Sequence, residues 1–162
     1  IEIIYSWIGK GYGGSFYNSP RSDIVTFNYK GEILPYYVFG WEKEWLGLKD
    51  VDRIIFMVNH IRNCHQESYN QLDKELKKRI LFIKHKSITS NPDESLLEIA
   101  NFIGESASTS MPNILLQENC PRVIEINEFS RKTLAIKKGS SKKAFDLLML
   151  MHNQFESEHL GI

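Results

Sequence analysis

Six basic residues, Arg131, Lys132, Lys137, Lys138, Lys142 and Lys143, fall within thirteen positions, and no acid stands between Glu128 and Asp146. Inside that run, Lys138-Gly139-Ser140-Ser141 immediately precedes a segment with helical spacing. Lysine ammonium groups and the free N–H groups of a helix start would then face one space, an arrangement suited to a phosphate or sulfate. The plainer reading is a solvated loop carrying ordinary lysines. A second cluster, Gly9-Lys10-Gly11-Tyr12-Gly13-Gly14, spells G-x-G-x-x-G after a strand-like segment. Dinucleotide binding requires a helix to begin there, because the pyrophosphate sits on helix N-terminal amides. Asn18-Ser19-Pro20 and the β-rich sequence beyond it oppose such a helix. The glycines are therefore read as a loop lying near a ligand or another backbone. No G-x-x-x-x-G-K-[ST] phosphate loop occurs in the sequence. His60 and Cys64 share a helical face beside His65, but a tetrahedral metal site normally draws on more ligands, and no second His/Cys pair lies nearby in sequence. They are read as solvated helix-end residues, with no metal.

The elements that would carry these residues follow from periodicity. Ile1–Tyr5 reads as a short strand, and Ile24–Tyr29 as another, ending at a Lys30-Gly31 turn into the apolar run Ile33–Phe39. Val51, Ile54, Ile55, Val58 and Ile61 recur at helical spacing and predict a helix from about Asp50 to Cys64. A polar surface helix is expected from about Gln66 to Lys78. Arg79–His85 holds four consecutive apolar residues bounded by charge, which predicts a strand buried on both faces. Asn91 as cap, Pro92 at the first helical position, Glu94 reaching back and Gly104 as stop delimit the next helix. Residues 105–122 read as loop and Val123–Ile126 as a short strand. A last helix is expected from about Ser141 to Phe155. Helix, two-sided strand and helix in succession predict a layered α/β domain.

Composition restricts the function classes. Lys plus Arg equals Asp plus Glu at 20 each, so no global charge points to nucleic acid or an anionic membrane. The uncharged apolar runs are far too short to cross a bilayer. With 42% hydrophobic residues among 162, the chain supports about one domain's core. The opening Ile1 without an initiator methionine predicts further residues upstream, so the chain is read as one domain or the C-terminal part of one. Two cysteines and no Asn-x-Ser/Thr site favour a reducing, cytoplasmic compartment.

Across Arg79–Gly104 the sequence resembles a segment of the sulfotransferase family. In that family a buried strand runs into a Tyr-Glu-Asp-Leu-type turn, followed by an Asn-Pro-capped helix ending in Phe-Leu-Gly. The matching residues here are Arg79-Ile80-Leu81-Phe82-Ile83-Lys84, then Asn91-Pro92, then Phe102-Ile103-Gly104. The family's acidic turn is replaced by His85-Lys86-Ser87. Trp7-Ile8-Gly9-Lys10-Gly11-Tyr12 is similar to a Trp-Gly-x-x-Tyr/Phe-Pro-Gly segment of some members, without its proline. Ile136-Lys137-Lys138-Gly139 is similar to their Arg-Lys-Gly element for the nucleotide 3′-phosphate, with Lys137 in the arginine's place.

The resemblance implies the C-terminal portion of a layered P-loop-type α/β fold with parallel strands flanked by helices. It implies sulfonyl transfer from 3′-phosphoadenosine 5′-phosphosulfate to a hydroxyl or amine of a small-molecule or glycan acceptor. Lys137, Lys138, Gly139 and Arg131 become the donor contacts, while Gly11, Tyr12, Tyr36, Trp41 and Trp45 line an acceptor cleft. The two tryptophans suit core packing as well. One rival is a catalytically degenerate domain of the same fold that binds a partner or glycan. Another is a glycosyltransferase, which would need an acidic, metal-binding Asp-x-Asp, and it is set aside on the reading that no such motif is present.

Overall fold

The computed structural model describes residues 1–14, 25–123 and 127–157. The Asn18-Ser19-Pro20 turn, the start of the Ile24 strand and residues 124–126 of the expected Val123–Ile126 strand lie outside them. The described residues are mostly helical, with one small antiparallel sheet. The chain divides into two compact units, one on Ile1–Gln71 and Asn127–Glu158, the other on Leu72–Ile126 and His159–Ile162.

The first unit begins with helix α1, Glu2–Gly9, where a strand is expected from its isoleucines. β-branched residues only weakly oppose a helix. Ile1, Ile4, Tyr5 and Ile8 recur at helical spacing, and all four join one apolar cluster in which Ile4 is fully buried. Strands β1, Thr26–Tyr29, and β2, Glu32–Pro35, pair antiparallel with Phe27 opposite Leu34. Lys30 and Gly31 both have positive φ, 52° and 92°, as a two-residue hairpin turn with matching twist requires. Asn28 Oδ1 closes that turn by accepting from Gly31 N at 3.1 Å. The apolar run then leaves the sheet at Tyr36–Val38, a 3₁₀ turn, and reaches helix α2, Glu42–Leu46.

Helix α3, Asp50–Gln71, is the axis of the unit. Its 22 residues span about 33 Å. It continues seven residues beyond the expected end at Cys64, because no Gly or Pro interrupts it and Ser68 Oγ donates to Cys64 O while Gln66 Nε2 donates to Asn70 Oδ1. One side of α3 places Ile54 and Ile55 against α1 and against two C-terminal helices, α8, Glu128–Gly139, and α9, Lys142–Ser157. Ile136, Ala144, Leu148 and Met151 come from that pair. Another side packs Met57 against Leu34, Val38 and Trp45. Helix α8 occupies sequence read as a basic loop: Ile136 is its single buried residue, so its apolar stripe is too thin to register.

The second unit holds α4, Lys74–Lys77, α5, His85–Ser90, α6, Pro92–Ile103, and α7, Met111–Gln117. Asp73 caps α4 by accepting from Leu76 N at 2.8 Å. Helix α6 has its expected limits, with Pro92 at its start and Gly104 left-handed at φ 75°. The capping box is not formed as expected: Asn91 makes no side-chain cap bond and its Nδ2 donates to Glu94 Oε2 instead. The strand expected at Arg79–His85 is absent. Residues 80–84 are irregular and His85 begins α5. A doubly apolar run becomes a strand only where neighbouring strands take its backbone N–H and C=O groups, and the described residues offer it none. Parallel strands flanked by helices are accordingly not found among the described residues. Residues 105–122, read as loop, contain α7.

Candidate functional site

The lysines expected to face an anion meet at the turn between α8 and α9. Lys137 and Lys138 lie in the last turn of α8, where their charge also complements its carbonyl end. Lys142 and Lys143 open α9, and all four side chains are exposed. Two of the four are steadied by aromatic faces: Lys137 Nζ stands 5.4 Å from the Phe145 ring centre and Lys143 Nζ 5.5 Å from that of Phe56.

The turn is seated on the start of α3. Asp52, only 4% exposed, accepts from Ser141 N at 2.8 Å, and Ser141 Oγ accepts from Ala144 N at 3.2 Å. Gly139 lies so close to Val51 that a Cβ there would stand 2.9 Å from Val51 Cγ2. These contacts correct one expectation. The amides of Ser141 and Ala144 are bonded within the protein and so are not free for an anion, while the four lysines are exposed. Ser140 Oγ is buried with no hydrogen-bond partner among the described residues.

Arg131 belongs elsewhere. Seven residues separate it from Lys138 on α8, about 10 Å along the axis. Its guanidinium donates to Tyr5 Oη at 3.1 Å, lies over the Tyr5 ring at 5.5 Å and sits 4.0 Å from Glu128. Beside it, Lys132 is paired with both Glu2 and Glu128, the latter at 2.6 Å. The hydrogen bond from Lys132, with its charge, holds the Glu128 carboxyl below the ordinary glutamate range.

The aromatic residues expected to line a cleft separate into surface and core. Trp45 is 0% exposed and packs with Leu34, Val38 and Met57, so its ring lines no open cleft. Its indole N–H has no hydrogen-bond partner among the described residues. Trp41 is half-buried, meets Trp45 edge-on at 5.7 Å and donates from Nε1 to Tyr37 O at 2.9 Å. Tyr36, 49% exposed, lies against Tyr37 with ring centres 4.1 Å apart. Burial, then the hydrogen bond with Tyr36, raises the Tyr37 phenol above its ordinary value. Gly11 has φ 68°, and Tyr12 packs edge-on against Trp7 at 5.9 Å beneath Lys10. The close backbone approach expected of this glycine cluster is found at Gly13, where a Cβ would lie 2.1 Å from Asp50 O. Tyr12 and Trp41 thus flank the cluster around Trp45, whereas the lysine turn borders the cluster around Ile54.

Sequence reasoning missed Asp52, and a signal existed. Asp50-Val51-Asp52 is an Asp-x-Asp of the kind a glycosyltransferase would need. Its carboxylates are occupied otherwise: Asp50 pairs with Arg53 at 3.0 Å, and Asp52 holds Ser141 N. Among the described residues, no helix is long and apolar enough to cross a membrane. Compared with family profiles, curated proteins and solved structures, the chain matches none.

Proposed function

We propose that the chain is the C-terminal, acceptor-side part of a cytoplasmic sulfotransferase and that the α8–α9 turn contacts the 3′-phosphate of 3′-phosphoadenosine 5′-phosphosulfate. The supporting observation is the set of four exposed lysines, 137, 138, 142 and 143, on a turn seated against α3 through Asp52 and Gly139. Lysines contribute point charges rather than a bidentate fork, so they would select charge over geometry. The sulfonyl group would pass from the donor's bridging oxygen to an acceptor hydroxyl or amine, which gives up its proton to a base as 3′-phosphoadenosine 5′-phosphate leaves. The protein's part in such a step is to position both molecules and stabilise charge on the departing oxygen. Tyr36, Trp41, Gly11 and Tyr12 are the proposed acceptor-side surface. A P-loop-type architecture belongs to this reading as the fold of the whole enzyme.

Calorimetric titration with 3′-phosphoadenosine 5′-phosphate tests it. Binding that falls about tenfold or more when Lys137 and Lys138 are both replaced by Ala supports the donor contact, since two charge-assisted contacts are worth at least that factor. Binding unchanged by the replacement overturns it. A second reading, a binding domain without transferase activity, is favoured by one observation: His85-Lys86-Ser87 replaces the family's acidic turn and begins helix α5.

A further inference from the structure

His60 and Cys64 lie four residues apart on α3 and therefore share a face of the helix. Cys64 Sγ is 3.6 Å from His60 Nε2. That separation has a second meaning. With metal–sulfur and metal–nitrogen bonds of about 2.3 and 2.05 Å at a tetrahedral angle, the S···N edge of a zinc-type centre is about 3.5 Å. The two donor atoms therefore already stand at the spacing such a centre needs. The imidazole is also held in place. It lies against the Trp41 ring at 5.4 Å with a 40° tilt, and Trp41 is itself fixed through its Nε1 bond to Tyr37 O. Cys64 is a free, exposed thiol on the solvent side of the helix.

We propose that His60 and Cys64 form a two-point chelate for a thiophilic divalent cation of the zinc type. The thiol loses its proton to solvent as the sulfur binds, and Nε2 supplies the second bond from the neutral ring. Among the described residues, no group of three or more His, Cys, Asp or Glu is placed to hold a metal, so water completes the coordination. One sulfur and one imidazole nitrogen select soft and borderline cations over magnesium or calcium, which take oxygen. The clip spans one turn in the exposed half of α3, so the bound cation favours the folded helix by mass action.

Cadmium titration of the 162-residue chain tests this, read by thiolate-to-cadmium charge-transfer absorption, with far-UV circular dichroism confirming that each variant folds. The band is expected in the parent and in Cys120→Ser, and is expected to vanish in Cys64→Ser. His60→Ala should weaken binding by about tenfold or more through loss of the second ligand. Zinc should displace cadmium, and calcium should not. A band that persists in Cys64→Ser, or an affinity untouched by His60→Ala, overturns the chelate; the latter would leave a thiol–imidazole hydrogen bond as the whole meaning of the 3.6 Å contact.

Discussion

Replacing Asp52 with Ala removes the carboxylate that joins the start of α3 to the start of α9. Oδ1 accepts from Ser141 N at 2.8 Å, and the residue is 4% exposed, so water cannot readily replace the lost acceptor. The variant loses a charge-assisted hydrogen bond and leaves a partly buried N–H unpaired, a cost of about 1–3 kcal/mol. Ser141 also begins the bonding of α9 through Ala144 N, so fraying of the first turn adds to the loss. For a chain of this length, about 2 kcal/mol lowers Tm by roughly 4–8 °C. Asp52→Asn keeps an acceptor of similar shape and should cost about half as much or less. Urea denaturation followed by circular dichroism measures both variants. The expected result is a lower midpoint at unchanged slope, in the order parent, Asn, Ala. An Ala variant within about 0.5 kcal/mol of the parent, the range of an ordinary surface change, would refute the anchoring role.

Two glycines should differ sharply. Gly13→Ala would place a Cβ 2.1 Å from the Asp50 carbonyl oxygen, and backbone cannot turn aside, so a loss of about 2 kcal/mol or more is expected in the same denaturation assay. At Gly139 the obstacle is the Val51 side chain at 2.9 Å, a stiff β-branched group that must move but is not backbone, so Gly139→Ala should cost less than Gly13→Ala. Glu128 titrates below the ordinary glutamate range because Lys132 bonds its carboxylate. A carboxyl depressed in the folded state stabilises above its unfolded pKa, and that contribution is lost as pH falls through the folded value. Carboxyl NMR should therefore find a depressed midpoint for Glu128 that returns toward normal in Lys132→Met; an identical midpoint in both would disprove the pairing as its cause.

Local chemistry alone determined the elements whose signals are complete within a few residues. Lys30-Gly31 specifies the hairpin because the turn needs two positive φ values. Pro92 and Gly104 delimit α6 because one cannot sit inside a helix and the other adopts the left-handed stop. The stripe from Val51 to Ile61 marks α3 because its period is helical. Tertiary structure decided what depends on a partner. Ile1–Tyr5 is helical because α3 and α8 present a surface for a stripe rather than a sheet edge, and Arg79–His85 forms no strand because no neighbour among the described residues takes its hydrogen bonds. The candidate site divides in the same way. The lysines and aromatics were legible as residue types, because charge and ring chemistry travel with the side chain. That Asp52 holds Ser141 across 89 positions, or that Trp45 is core while Trp41 remains half-buried, depends on which distant surfaces meet. Spacing along a chain carries no such information once the partners lie beyond one element.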